Sequence, residues 1–232
     1  MSDPNVNVLP VSRSRMNLRT LSSLGMLTAV AYVVMLLSKL LPQVSGFLQL
    51  DLKDTVICIG GFIFGPVASA VIALVVALVE MFSVSDTGPI GLIMNVLATC
   101  AFCCTAAFVY KKLHTKKGAV AGLFLGVAVL TVVMLLWNYL ITPLYMGVAR
   151  DEVKDMLVPI ILPFNLVKGG LNTALILVLY KPVVNALRRA KLVPESQGVF
   201  QKTGKVSTGF ALFSLALLAT FVVLALVLMG IL

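Results

Sequence analysis

Long apolar stretches follow one another along the chain of 232 residues, and short polar segments separate them. A helix needs about 20 mostly apolar residues to cross a bilayer, and most of these stretches have that length. Pro66 interrupts one stretch, because proline lacks an amide hydrogen and restricts the residue before it, Gly65. The part before this break is unusually short for a span. The predicted spans cover about 21–41, 55–64, 67–82, 90–110, 119–141, 157–180 and 210–232.

This pattern predicts an all-α membrane protein with six transmembrane helices and an appended seventh hydrophobic helix at the C-terminal end. We divide the chain into a polar tail at 1–20, a six-helix membrane domain at 21–190, a basic linker at 191–209 and the extra helix at 210–232. The composition agrees, because 60% of the residues are hydrophobic and 12% are charged, whereas soluble domains average about 45–50% apolar residues. This composition argues against a water-soluble fold.

The basic residues favour one orientation in the membrane. With the N-terminus in the cytoplasm, most of the 18 Lys and Arg residues fall on the cytoplasmic side, while the outer loops hold most of the acids together with Lys39 and Lys53. The positive-inside rule predicts this arrangement for a multi-pass protein of the cell membrane. The rule also explains the net charge of +9, so we expect contact with membrane lipid and infer no nucleic-acid partner. The N-terminal segment is interpreted as a cytoplasmic tail and not as a signal peptide.

The cysteines and the single histidine do not suggest a metal site. The cysteines lie within apolar stretches, where this residue usually behaves as a small hydrophobe, and His114 lies in a lysine-rich loop. We therefore predict no metal and no resident cofactor. An intramembrane enzyme would need paired acids for a metal, or a nucleophile with a base, and the spans supply neither. An ion channel would need rings of charge or exposed carbonyls, which the sequence does not establish. We predict no enzymatic activity and no catalytic residue.

Lys168 lies near the middle of the sixth apolar stretch, where a lysine costs about 2.5–3.5 kcal/mol on insertion scales. Asn165 and Asn172 share its face of the helix, so this face should point into the bundle or a cavity. Asn138 and Asn95 place further amides in the fifth and fourth spans. Lysine only donates hydrogen bonds whereas asparagine also accepts them, a combination that suits a planar, uncharged heterocycle. For each asparagine, the alternative is an interhelical contact worth about 0.6 kcal/mol.

Glu80 and two glycines adjoin this polar group. Glu80, near the outer end of the third span, either pairs with Lys168 or reaches the membrane interface, and we favour the interface. Gly169 and Gly170 follow Lys168 directly. Because they lack side chains, they allow a ligand or another helix to approach the backbone closely.

Five short motifs, in their order and spacing, resemble the substrate-binding S components of energy-coupling factor (ECF) vitamin transporters, and most closely the riboflavin-binding type. The resemblance covers roughly residues 20–190. The motifs are FLQLDLKD at 47–54, GGFIFGP at 60–66, TGPIGLIMN at 87–95, NYLITPLY at 138–145 and ILPFNLVKGGLN at 161–172.

The resemblance implies a six-helix membrane bundle that binds riboflavin from outside the cell with high affinity. Such a subunit works with a transmembrane coupling protein and two cytoplasmic ATPases, and it hydrolyses nothing itself. The resemblance also implies that Asn138 and Lys168 hold the flavin ring and that residues 42–53 form a flap over the vitamin. The small residues Gly25 and Ala29 on the first helix would contact the coupling protein.

The alternative ligand is FMN or another flavin-like vitamin, because an outer-loop arginine such as Arg150 would meet a phosphate. Two features depart from the family pattern. The third span lacks polar residues until Glu80, and the seventh hydrophobic stretch has no counterpart among six spans.

Overall fold

The computed structural model describes residues 18–85, 87–190 and 208–231. Within them, each apolar stretch of the sequence forms a helix close to its predicted bounds. Most of the predicted tail and linker, 1–17 and 191–207, lies outside the described residues. The helices are α1 (Leu18–Ser38), α2 (Lys53–Phe64), α3 (Pro66–Ser83), α4 (Gly88–Leu113), α5 (Lys116–Met146), α6 (Arg150–Arg189) and α7 (Thr208–Leu228).

In the described part of the chain, six helices are long and apolar enough to cross a membrane, and α2 is the exception. Its 12 residues extend about 18 Å, whereas the hydrocarbon core of a bilayer is about 30 Å thick. The helix ends at Gly65, whose φ of 96° is readily adopted only by glycine. Pro66 then begins α3, at a position where its missing N–H costs no hydrogen bond. The predicted break at Gly65–Pro66 is confirmed.

Because α2 is short, the chain that leads into it folds towards the interior. α2 packs against α1 and α3, which are both longer, so it begins inside one end of the bundle. Residues 39–52, which we call the infolded loop, include most of the predicted flap. Val44 and Leu50 in this loop are only 3% and 1% exposed. We call this end of the molecule the loop end, and the opposite end, with the turn at 114–115, the basic end.

The apolar core lies among α1 to α6 and includes Ile57, Ile72 and Phe102, all fully buried. α4 and α5 approach each other closely within it. A β-carbon at Gly126 of α5 would lie only 2.7 Å from the carbonyl oxygen of Phe102 on α4. This close packing fixes the helices that carry the polar side chains.

The seventh hydrophobic stretch forms α7, which packs along α6. The ring of Phe221 on α7 lies where a side chain on Gly170 would be. Gly169 similarly faces Val127 and Leu130 of α5. Both glycines therefore admit a neighbouring helix, which is one of the two uses predicted for them.

Candidate functional site

Lys53 carries a charge inside the bundle near the loop end. Its side chain is 2% exposed, and its Nζ lies 2.5 Å from Asp51 Oδ2 in the infolded loop and 2.8 Å from Glu80 Oε2 on α3. Lys39, just after α1, lies 3.4 Å from Glu80 Oε1. Asn95 on α4 donates a hydrogen bond of 3.1 Å to Glu80 Oε2. These contacts join the infolded loop, α2 and α4 to Glu80 on α3.

The predicted position of Glu80 at the membrane interface is wrong. This residue is 6% exposed and pairs with Lys53 and Lys39. The physical reason is the short α2, which brings Lys53 out of its predicted outer loop and into the bundle beside α3. Lys53 and Glu80 form a buried ion pair. Removing either residue would leave the other as an uncompensated buried charge.

Asp51 stays ionised in this network. Burial alone would raise the pKa of its carboxyl, but the positive charges of Lys53 and Lys168 outweigh burial and lower the pKa below its ordinary value. At neutral pH the residue is therefore negatively charged and paired with Lys53. The influence of Lys168 also indicates that its charge lies within electrostatic reach of the infolded loop.

The side chain of Lys168 lies half-buried on α6, and its ammonium makes no hydrogen bond or ion pair with any residue that the structure describes. Its charge acts on Asp51 and on Asp54 at the start of α2. One oxygen of Asp54 accepts a hydrogen bond of 2.7 Å from Thr99, while the other is buried with no partner among the described residues. The three N–H donors of Lys168 therefore remain available to a bound molecule.

Two of the predicted asparagines bond only within their own helices. Asn138 donates to the carbonyl oxygen of Met134 at 2.7 Å and accepts from Thr142 at 3.0 Å. Asn165 donates to the carbonyl oxygen of Ile161 at 2.8 Å. Both residues are buried, at 4% and 2% exposure. An amide has two N–H donors and two acceptor lone pairs, so each residue keeps unused bonding capacity.

The other two asparagines bridge separate elements. Asn172 donates to the carbonyl oxygens of Asp51 and Lys168 at 2.9 and 3.0 Å, and it accepts from Thr55 at 2.7 Å. It thus ties α6 to the infolded loop and to α2. Asn95 ties α4 to α3 through Glu80. Asn172 therefore joins the loop to α6, whereas Asn95 joins the ion-pair network.

The polar residues that bond to no other described element, Lys168, Asn165 and Asn138, lie on α5 and α6, which pack against each other. These helices are joined by a short loop and run in opposite directions, and Gly169 packs against Leu130. At 1.5 Å per residue, Asn138 lies about 12 Å beyond Leu130 and Asn165 about 6 Å beyond Gly169, both towards the loop end. Lys168, Asn165 and Asn138 thus mark successive levels between the core and the loop end.

Sequence reasoning missed the ion pairs of Lys53 and the burial of Asp54. A signal for both was present in the sequence, because three charged residues, Asp51, Lys53 and Asp54, directly precede the short second span. A span of that length leaves its first residues at membrane depth if it reaches the far side. Charges at that depth must then find partners inside the bundle.

Polar side chains that are enclosed by apolar helices, beneath an infolded loop, define a multi-pass membrane protein. Among residues 18–85, 87–190 and 208–231, no three His, Cys, Asp or Glu side chains are grouped so as to hold a metal. The polar side chains described above offer hydrogen bonds and one ammonium without a partner among the described residues.

Comparison with known proteins assigns the family. Residues 19–180 match the family described as "ECF transporter, substrate-specific component". The chain belongs to this family. It is also similar to a solved structure of the S component of a bacterial ECF transporter, with a TM-score of 0.63 and 33% identity over 75% of this chain and 100% of that one. The predicted S-component bundle is confirmed.

Two relatives are similar over nearly their whole length. The riboflavin transporter FmnP of Bacillus subtilis (strain 168) is 34% identical over 189 residues, which cover 76% of this chain and 100% of the relative. The riboflavin transporter RibU of Staphylococcus aureus (strain TCH60) is 32% identical over 178 residues, covering 74% of this chain and 93% of the relative. Both relatives are named as transporters. The family match ends before α7.

Proposed function

We propose that this chain is the riboflavin-binding subunit of an ECF importer. The observation that carries the proposal is the ammonium of Lys168, which has no partner among the described residues. Asn165 on the same helix and Asn138 on α5 are buried amides with unused hydrogen-bonding capacity on the way to the loop end. The names of the two relatives, both riboflavin transporters, support the choice of ligand.

In this proposal, Lys168, Asn138 and Asn165 hold the flavin ring. The ring is planar and uncharged, and it carries carbonyl oxygens and nitrogens along one edge. Lys168 donates to a carbonyl oxygen, and the two amides donate to and accept from the remaining ring atoms. Asn95 and Asn172 position the site without binding the ring, because their amides already bond to Glu80 and to the infolded loop.

The proposed orientation places the N-terminus and the basic end in the cytoplasm and the loop end outside, where the ligand enters. The positive-inside rule supports this orientation. The infolded loop would then act as the flap over the bound vitamin, since it is anchored beside Lys168 through Asn172.

The proposed partners are a transmembrane coupling protein and two ATPases that act from the cytoplasm, and the chain itself catalyses no reaction. Gly25 and Ala29 are both exposed on α1, and no atom lies within 4 Å of a β-carbon built on Gly25. Exposed small residues allow the backbone of another helix to approach closely. We therefore assign this face of α1 to the coupling protein.

Fluorescence titration of the purified, ligand-free protein with riboflavin and with FMN tests the proposed ligand. Riboflavin should bind with high affinity, and its fluorescence should be quenched as it enters the site. Tighter binding of FMN would change the ligand to the phosphorylated flavin. If neither flavin is bound by protein that is folded, the proposed function is rejected.

A further inference from the structure

α7 contacts the rest of the molecule along a single stripe. The residues of this stripe are separated alternately by four and three positions, the spacing with which one helix packs along another. Outside the stripe, most large side chains of α7 are exposed, including Phe213 and Leu215. We call the stripe the α7 seam, and it consists of Ser214, Leu218, Phe221, Ala225 and Leu228.

The α7 seam meets α6 directly beside the proposed binding site. α6 carries two ridges of side chains that are offset by one residue, or about 100° around the helix. The polar ridge faces the site and consists of Asn165, Lys168 and Asn172. The apolar ridge consists of Phe164, Val167 and Leu171. This apolar ridge forms one buried cluster with Val44 and Leu50 of the infolded loop and with Ala225 of α7.

The infolded loop is therefore held on two sides. On its polar side, the carbonyl oxygen of Asp51 accepts a hydrogen bond from Asn172. On its apolar side, Leu50 is 1% exposed and belongs to the same buried cluster as Ala225 of α7. Leu228 of α7 packs against this cluster. Without α7, this side of the loop would lose part of its packing.

Close fit is what holds α7 in place. Lipid chains are as apolar as these side chains, so helices in a membrane associate through packing and not through the hydrophobic effect. Phe221 packs so closely on Gly170 that a β-carbon there would overlap its ring. Gly170 lies two residues from Lys168, so this contact fixes α7 at the level of the site.

We propose that α7 is a positioning helix for the infolded loop, in which Phe221 docks the helix on Gly170 while Ala225 and Leu228 hold the apolar side of the loop against α6. Loosening the α7 seam lets the loop open more often, so the ligand enters and leaves faster. The proposal rests on the proposed function in one respect, which is that riboflavin is the ligand whose binding and release are measured.

The test compares two triple variants of the full-length protein that replace the same residue types. The seam variant carries Leu218→Ala, Phe221→Ala and Leu228→Ala. The control variant carries Phe213→Ala, Leu215→Ala and Leu224→Ala on the exposed face of α7. Hydrogen–deuterium exchange of residues 41–52 is measured without ligand, and the rates of riboflavin binding and release are measured by stopped-flow fluorescence.

In the seam variant, we expect faster exchange in the loop and riboflavin release faster by about tenfold, equivalent to ~1.4 kcal/mol. Association should accelerate as well, so that the dissociation constant changes less than the release rate. A variant that merely damaged the site would weaken binding without faster association. The control variant should match the unaltered protein in all three measurements.

A folded seam variant with the loop exchange and rates of the control overturns the proposal. If the triple variant does not fold, Phe221→Ala alone decides, with the same direction expected and a smaller effect. Faster loop exchange in a protein that binds no riboflavin would reject the proposed function and leave the role of α7 standing.

Discussion

Lys53 and Lys168 are both charged residues within the bundle, but only Lys53 forms ion pairs with described residues. Lys53 is 2% exposed and lies between two carboxylates, so its charge is compensated within the fold. Lys168 bears a cost of about 2.5–3.5 kcal/mol at the centre of a span, and its ammonium makes no hydrogen bond or ion pair with any described residue. The first lysine therefore holds the structure together, and the second is the one that a ligand would satisfy.

We expect Lys168→Ala and Asn138→Ala each to weaken riboflavin binding by about tenfold to more than a hundredfold. Losing one hydrogen-bond partner strands a buried group at a cost of about 1–3 kcal/mol, and each 1.4 kcal/mol is about a factor of ten in affinity. Fluorescence quenching of each purified variant measures the effect. Lys112→Ala, which replaces an exposed lysine at the basic end, is the matched control. Unchanged affinity in both folded variants would remove these residues from the site.

Asn172→Leu should lower thermal stability more than Asn138→Ala does. The substitution strands the carbonyl oxygen of Asp51 and the hydroxyl of Thr55, at a cost of about 1–3 kcal/mol for each buried group. In a domain of this size, each kcal/mol shifts the melting temperature by about 2–4 °C. Thermal unfolding of the two variants without ligand makes the comparison. Equal melting temperatures would contradict the bridging role of Asn172.

At this scale, the sequence reveals candidates but not their partners. Lys168 stands out because a lysine in hydrocarbon is costly, whatever surrounds it. The partners of an asparagine depend on the fold. Asn138 and Asn172 both lie in apolar stretches of the sequence, but Asn138 bonds within its own helix and Asn172 joins α6 to the infolded loop and to α2. Glu80 was misassigned for the same reason, since its partner Lys53 precedes it by 27 positions and the two meet only in the folded bundle.

At the scale of helices, the lengths of the apolar stretches predicted most of the arrangement along the chain. The apolar stretches predicted every helix in the described residues, and Gly65–Pro66 correctly divided α2 from α3. What length alone did not indicate was the depth at which α2 begins, because that depends on its longer neighbours α1 and α3. The infolded loop is the result, and it was predicted only as an external flap.

On α1, we expect the double substitution Gly25→Leu and Ala29→Leu to abolish riboflavin uptake by cells while leaving binding intact. Both positions are exposed and away from the polar ridge, so larger side chains would keep a partner helix at a distance without disturbing the site. Uptake by whole cells and flavin titration of the purified protein are measured together. Ala216→Leu with Ala219→Leu on the exposed face of α7 is the control. Normal uptake with the α1 variant would end its assignment to a partner.

For the whole molecule, we expect the basic end to face the cytoplasm. In a background without the four native cysteines, Lys117→Cys at the basic end and Gln43→Cys at the loop end introduce one exposed thiol each. A membrane-impermeant thiol reagent added to intact cells should modify only the cysteine at position 43. The reverse labelling pattern would invert the topology and place the proposed site on the cytoplasmic side.

The family region and α7 differ in how far the sequence explains them. Residues 19–180 follow the pattern of a known family, so motifs and spans together predict their arrangement. α7 is apolar all round, and its sequence does not distinguish the face that meets α6 from the face that meets lipid. The fold identifies that face, by the burial of Ser214 and Ala225 and by the position of Phe221 opposite Gly170.

The short α2 also bears on how the protein is made. A segment of 12 residues that begins with Lys53 and Asp54 is a poor substrate for insertion on its own, because charged residues oppose partition into lipid and the apolar length is insufficient. α3 follows it directly across Gly65–Pro66 and is amply apolar. We therefore expect the two helices to enter the bilayer as one hairpin during synthesis. Lys53 would then gain its second carboxylate only once Glu80, carried by α3, arrives beside it.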